Sequence, residues 1–302
     1  MNRMLRYAAL LAFVATPVQA QDRRSITVED VFRIADVSSP VVSPDGALAA
    51  YVVSTRDLEG NSSRSDVWAV SLDGGEPRQM TSRNASASSP AFSPDGRYLS
   101  FLTTRGEDAR RQVWGLDLRG GEAMPLTDVE HGVSGYRWSP DGTRLALLVR
   151  DPAPEREDGA LRAPWVVDRL QFKQDYTGYL DRRRTHLFVY DLETEALLRL
   201  TEGDYEQSSI AWPPDGRRIA FASNRTAEPD SNYDTDVWVV SADVETPEPE
   251  LVSTSGGSDG GPAWSPDGRS LAWTTSLRPE VGGYAMSHVA VGGPGDGARV
   301  LT

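Results

Sequence analysis

The 302-residue sequence contains no cysteine. That excludes disulfides, thiolate catalysis, cysteine-ligated metals and a lipid-modified cysteine anchor. Lysine is nearly absent as well: the 31 basic residues are 30 arginines and Lys173. Net charge is −13, and no basic stripe interrupts it, so the composition argues against binding a nucleic-acid backbone. Long apolar runs are missing. The longest candidate, Ala8 to Val14, is too short to span a bilayer. Histidine is scarce, with only His131, His186 and His288, each in a different part of the chain. No glycine-rich phosphate loop and no histidine pair at metal spacing occurs, which leaves no cofactor and no metal to expect.

What the sequence does contain is one turn written five times. It reads "VSPDG" at 42–46, "FSPDG" at 92–96, "WSPDG" at 138–142, "WPPDG" at 212–216 and "WSPDG" at 264–268. Proline presets φ at the second turn position, aspartate suits the third, and glycine takes the left-handed position that follows. Apolar residues alternate after each copy: Ala49 and Tyr51, Leu99 and Phe101, Leu145 and Leu147, Ile219 and Phe221, Leu271 and Trp273. Alternation beside a tight turn predicts a β-hairpin with one buried face.

The repeat extends past the turn. The aspartates lie 50, 46, 74 and 52 residues apart. Each unit carries a further strand ("DVWAV", "QVWGL", "HLFVY", "DVWVV", "HVAVG"). A residue placed 14 positions before the next aspartate closes the unit: Thr81, Thr127, Thr201 and Ser253. Four short antiparallel strands per 45–50 residues predict an all-β protein, a β-propeller of four-stranded blades, with five units present. A β-sandwich also strings short strands between turns, but it has no reason to repeat one turn in phase.

Three segments fall outside the repeat. Residues 1–20 have a basic start, a short apolar stretch and a Val18-Gln19-Ala20 end, the pattern of a secretory signal peptide. This predicts a periplasmic or secreted location, with residues 21–302 as the propeller domain. A short helix is expected after Thr27, with Asp30 completing the cap and Val28, Val31, Phe32 and Ala35 on one face. The third segment is an insertion at 151–184, which makes its unit about 25 residues too long. Irregular segments on a rigid scaffold are where binding residues gather. Within it, Arg169 suits a peptide carboxylate or carbonyl, and Asp168 and Asp175 suit a free amine. Trp165, Tyr176 and Tyr179 suit apolar contact. The competing expectation is that these aromatics pin the insertion to its own blade.

Catalytic chemistry is not in evidence. "GGSDG" at 256–260 matches the nucleophile-elbow pattern around Ser258, yet it runs straight into a strand where the elbow requires a helix. "DSNYDTD" at 230–236 has calcium-loop spacing at Asp230, Asn232 and Asp234, but Thr235 stands where glycine is needed and Ser241 where glutamate is needed.

Taken together, "TVEDVFRIADVSSPVVSPDG", the repeated turns, "DRLQFKQDYTGYLDRRRTHLFVYDLET" and "PPDGRRIAFASNR" resemble the N-terminal half of prolyl oligopeptidase family serine peptidases. The similarity is greatest to the acylaminoacyl-peptidase and dipeptidyl-peptidase-like branch. TolB-like propellers share the turns alone. The resemblance implies a propeller of seven or eight blades ahead of an α/β-hydrolase domain that carries a Ser, Asp and His triad. No position here matches that triad, so the chain is expected to be a fragment, inactive by itself. The sequence also has no Glu-Glu pair, which departs from the dipeptidyl-peptidase pattern. Two functions follow as expectations. One is a substrate-gating propeller of a secreted serine exopeptidase acting on short peptides. The other is a self-sufficient TolB-like propeller whose partners are proteins.

Overall fold

The computed structural model describes residues 25–81, 85–105, 110–153, 166–175, 177–253, 255–295 and 297–302. The proposed leader therefore lies outside the described residues. So do Trp165 and Tyr176.

Among the described residues the chain forms five four-stranded antiparallel sheets, laid down in chain order. Sheet 1 comprises β1 (Asp36–Val42), β2 (Leu48–Asp57), β3 (Ser62–Ser71) and β4 (Arg78–Gln79). Sheet 2 comprises β5 (Ala87–Phe92), β6 (Tyr98–Thr104), β7 (Arg111–Asp117) and β8 (Met124–Pro125). Sheet 3 uses β9 (Gly135–Trp138) and β10 (Arg144–Arg150), then leaves for the insertion hairpin of β11 (Lys173–Gln174) and β12 (Gly178–Tyr179). It resumes with β13 (Thr185–Asp191) and β14 (Leu197–Arg199). Sheet 4 is β15 (Gln207–Ala211), β16 (Arg218–Ser223), β17 (Asp236–Ser241) and β18 (Glu250–Leu251). Sheet 5 is β19 (Gly260–Trp264), β20 (Leu271–Ser276), β21 (Ser287–Gly292) and β22 (Arg299–Val300).

The repeated pentapeptide is the tip of the first hairpin in every sheet. In sheet 1, Ser43 Oγ donates to Asp45 Oδ1 at 2.5 Å and accepts from the Leu48 amide at 2.9 Å. The Asp45 carboxylate also accepts from the Ala47 amide. Sheets 2, 3 and 5 repeat this lock around Ser93, Ser139 and Ser265. Pro213 removes the hydroxyl in sheet 4, where the backbone turn and the Asp215 bond to the Arg217 amide remain. The closing residue of each unit has an equally local purpose. Thr81, Thr127, Thr201, Ser253 and Thr302 each accept from the amide of the residue that opens the buried part of strand three. This ties the short fourth strand to the third.

Consecutive sheets pack face to face. The side chains four and six places after each turn aspartate point at the preceding sheet: Leu99, Phe101, Leu145, Leu147, Ile219, Phe221 and Leu271 are fully buried there. Each such side chain withdrawn from water stabilises by about 1.5–3 kcal/mol. Tryptophans add directional links. Trp138 Nε1 donates to Ser100 Oγ of sheet 2, Trp212 to the Arg137 carbonyl of sheet 3, and Trp264 to the Ala211 carbonyl of sheet 4. Arg144 and Arg218 lie over the rings of Trp212 and Trp264 in the next sheet, an arrangement that adds cation–π attraction.

The turns themselves nest along one rim. A Cβ placed on Gly96, Gly142, Gly216 or Gly268 would stand 3.8, 3.5, 3.6 or 3.3 Å from the Cδ of Pro44, Pro94, Pro140 or Pro214, the proline of the preceding turn. Gly46 meets nothing within 4 Å.

Helix α1 (Val28–Arg33) forms as expected, with the Thr27 amide donating to Asp30 Oδ2 at 2.9 Å. Its apolar face is not buried, however. Val28 and Val31 are exposed and Phe32 is only half-buried, because no element among the described residues covers that side.

Candidate functional site

The insertion returns to the propeller at the rim opposite the nested turns, beside the loops that enter sheet 4 and join its second and third strands. There it borders a polar cleft of about 480 Å³ lined by Val167, Asp168, Arg169, Arg182, Arg184, Asp204, Glu228 and Asp230, among others. Its three arginines are anchored. Arg169 is almost fully buried. Its Nε and Nη2 donate to the two oxygens of Asp230 at 2.8 and 2.5 Å, and its Nη1 donates to the Asp181 carbonyl at 2.7 Å. Arg182 pairs with Asp168 at 3.2 Å and Asp204 at 3.0 Å. Arg184, also buried, pairs with Asp204 at 2.5 Å.

These pairings set the ionisation of the cleft. The hydrogen bond from Arg169 holds the Asp230 carboxyl below the usual range, and Asp230 in turn raises the Arg169 guanidinium. Burial pushes Asp204 upward, but its bonds from Arg184 and Arg182 outweigh that and leave it lowered. Asp230 and Asp204 are therefore held ionised at neutral pH. Glu228 is different in kind. It is exposed, and its carboxylate lacks a protein partner among the described residues.

The residues singled out from sequence separate into three groups. Arg169 and Asp168 line the cleft, but each already has an internal partner, and all three side-chain nitrogens of Arg169 already donate. Asp175 and Tyr179 lie on the exposed β11–β12 hairpin and do not line the cleft. Trp165 and Tyr176 lie outside the described residues. Sequence reasoning missed Arg182, Arg184, Asp204 and Glu228, and met Asp230 only as part of a calcium-like spacing. The "DRRR" run at 181–184 was the available signal, because three adjacent arginines leaving an insertion need carboxylates nearby.

The other motifs resolve into structure. Ser258 is exposed in a loop that runs directly into β19, with no helix behind it. Asp230 is taken by Arg169, while Asn232 bonds Asn224, Thr226 and the Glu228 carbonyl, so the calcium-like spacing is not used as a loop of ligands. Among the described residues no cluster of three or more histidine or carboxylate side chains has metal-binding geometry. His186 is buried with Nε2 3.4 Å from Asp151, and burial holds its imidazole below the usual value. His288 Nδ1 lies 2.7 Å from the Thr302 carbonyl. No helix among the described residues is long and apolar enough to cross a membrane.

Comparison with known proteins gives a consistent picture. No family model matches the chain. It is 32% identical over 225 residues to the uncharacterized peptidase YuxL of Bacillus subtilis, covering 72% of this chain and 34% of that protein. It is 28% identical over 273 residues to dipeptidyl-peptidase 5 of Porphyromonas gingivalis, covering 84% and 39%. The chain thus spans well under half the length of these curated relatives. Among solved structures, an acylaminoacyl peptidase bound to Z-Gly-Gly-Phe-chloromethyl ketone superposes with TM-score 0.61 at 19% identity, over 90% of this chain and 40% of that one. A TolB-like protein from Agrobacterium tumefaciens gives 0.58 at 19% identity, over 89% and 81%.

Proposed function

The chain is a β-propeller related to those of prolyl oligopeptidase family serine peptidases, with TolB-like turns, and from that premise we propose that it is the substrate-gating propeller of a secreted exopeptidase acting on short peptides. The observation that carries this reading is the insertion cleft. It is the one place where the chain leaves its repeat to build a walled, charged recess, and it does so on the rim away from the nested turns.

In this reading the arginines are frame and other side chains are the contacts. Arg169, Arg182 and Arg184 hold the insertion against the loops of sheet 4. Glu228 at the cleft, with Asp175 on the hairpin, offers charge to the free amine of a peptide, and the exposed Tyr179 offers apolar surface. Bond cleavage is assigned to a separate α/β-hydrolase domain, because no position in this sequence supplies a nucleophile with a base. The leader-like residues 1–20 support secretion.

The purified chain is expected to bind short peptides with a free N-terminus weakly, to lose that binding on Glu228→Gln, and to hydrolyse neither a peptide anilide nor a p-nitrophenyl ester above background. Isothermal titration and a chromogenic assay measure the two parts. Hydrolysis abolished by Ser258→Ala would overturn the division of labour. A chain that binds no peptide but retains a protein partner would favour the second reading, a TolB-like interaction propeller. That reading is supported by similarity over 81% of a TolB-like chain.

A further inference from the structure

The cleft beside the insertion has a buried part and an exposed part of different chemistry. The buried part is charged and paired: the side chains of Arg169 and Arg184 are 7% and 5% exposed, and Asp230 and Asp204 hold them. The exposed part is aliphatic. Val167 and Leu170 line the same space yet stand 56% and 65% exposed. An exposed leucine by itself says little. This one is informative because it is held still. Its neighbours on both sides bond Asp230, Arg169 through its guanidinium and Gln171 through its amide at 3.4 Å. The Leu170 carbonyl accepts from the Phe172 amide at 3.2 Å. Glu228 is fixed from the other segment. Its carbonyl accepts from the Ser231 amide at 3.0 Å, Ser231 Oγ at 2.7 Å and Asn232 Nδ2 at 3.0 Å, which leaves its carboxylate at the cleft. Four carboxylates and three guanidiniums line the space, so one negative charge is left over.

We propose that the cleft selects peptides by their first residue and takes those that begin with a large aliphatic side chain. The inference rests on the peptide-binding reading above and adds the side chain to it. In an N-terminal residue the amine and the side chain leave from one Cα, so both enter the same space. The ammonium group meets Glu228, and the side chain lies against Val167 and Leu170. The surplus negative charge suits a ligand that brings one positive charge and no negative one. An acidic first residue is disfavoured, because it adds a like charge and the nitrogens of Arg169 are already engaged. Apolar surface withdrawn from water supplies the discrimination. Little ordering opposes it, since the segments carrying Leu170 and Glu228 are fixed before any ligand arrives.

The test is isothermal titration of the purified chain with four tripeptides: Leu-Gly-Gly, Gly-Gly-Gly, Asp-Gly-Gly and N-acetyl-Leu-Gly-Gly. Leu-Gly-Gly should bind about tenfold more tightly than Gly-Gly-Gly. Asp-Gly-Gly should bind more weakly than either, and the acetylated peptide should lose the contribution of its amine. Leu170→Asn combined with Val167→Asn should bring the ratio between Leu-Gly-Gly and Gly-Gly-Gly to about one, while Leu170→Ile should preserve it. Val166→Asn is the control. Val166 is 74% exposed on the same segment but does not line the cleft, so its replacement should leave the ratio intact. All these positions are exposed, and melting temperatures confirm that the variants are folded. Equal affinity for Leu-Gly-Gly and Gly-Gly-Gly, with both lost in Glu228→Gln, overturns the inference and leaves the peptide-binding reading standing. A ratio that survives the double variant also overturns it, since the side chain would then be read elsewhere. Absence of binding by every tripeptide overturns the peptide-binding reading and this inference with it.

Discussion

At the scale of single residues, the repeated turn divides into a part visible in sequence and a part that is not. Proline, aspartate and glycine at fixed places announce a tight hairpin, and the local bonds of Ser43 and Asp45 bear this out. That each glycine also receives the proline of the preceding turn is a tertiary fact, invisible in any pentapeptide. The two contributions are separable. Gly46 and Gly268 share left-handed φ angles of 73° and 69°, but only Gly268 has a neighbour in contact. Gly46→Ala should cost about 1–2 kcal/mol, the strain of a side chain at that φ. Gly268→Ala should cost about 1 kcal/mol more, for crowding Pro214. Chemical denaturation of both variants measures the difference, and equal losses would show that nesting adds nothing. A second residue-scale effect concerns Asp236, which bonds Ser253. Burial, reinforced by Asp234 and Asp259, raises its carboxyl to about 6. The folded chain therefore holds this proton more tightly than the unfolded one. Its contribution is favourable below about 3.8 and is lost as pH rises through about 6. Asp236→Asn should flatten the melting temperature between pH 4.5 and 7 relative to the unmodified chain. A parallel pH profile for the two would contradict the assignment.

At the scale of elements, the strands were legible because period-two alternation and turn chemistry agree everywhere in the repeat. Three features escaped. The first strand of sheets 1, 2, 4 and 5 carries a bulge, at Ser39, Ser89, Ser209 and Gly261, all with φ between 52° and 61°. Serine is a poor advertisement for that conformation, so its recurrence went unread. Helix α1 forms where the sequence places it, but the grouping of its apolar residues on one face says nothing of burial, and Val28 and Val31 stand exposed. The insertion was recognised as a departure, yet what holds it depends on Asp230, 61 residues beyond Arg169. Removing one partner of a buried ion pair strands the other charge, and such losses commonly cost about 3–5 kcal/mol. Here the loss should fall on the insertion locally. Arg169→Ala or Asp230→Ala should raise the rate of limited proteolysis within 151–184 at least about tenfold, with the global melt changed much less. Equal proteolysis in variant and unmodified chain would mean the insertion is anchored elsewhere.

At the scale of the whole molecule, the sequence announces a propeller through five phased repeats, and the five sheets stack in chain order as that reading requires. It is silent on which sheet faces are covered. Val289 is written with the same letter whether a sheet covers it or not, and only the fold shows it standing open where Val67, Val113 and Val237 are sealed. The candidate cleft was half legible for a related reason. A run of arginines can be read from the letters, whereas their carboxylates arrive from two distant loops.

The tryptophan links have a direction. Trp138, Trp212 and Trp264 each donate to the sheet that precedes them in the chain. During synthesis, then, every new sheet emerges to find its acceptor already made, and none has to wait for a later one. Sheets 1 and 2 carry Val42 and Phe92 at that place and ask for no acceptor. Folding along the ribosome can proceed one sheet at a time, with each indole reporting by its fluorescence the moment its own sheet docks.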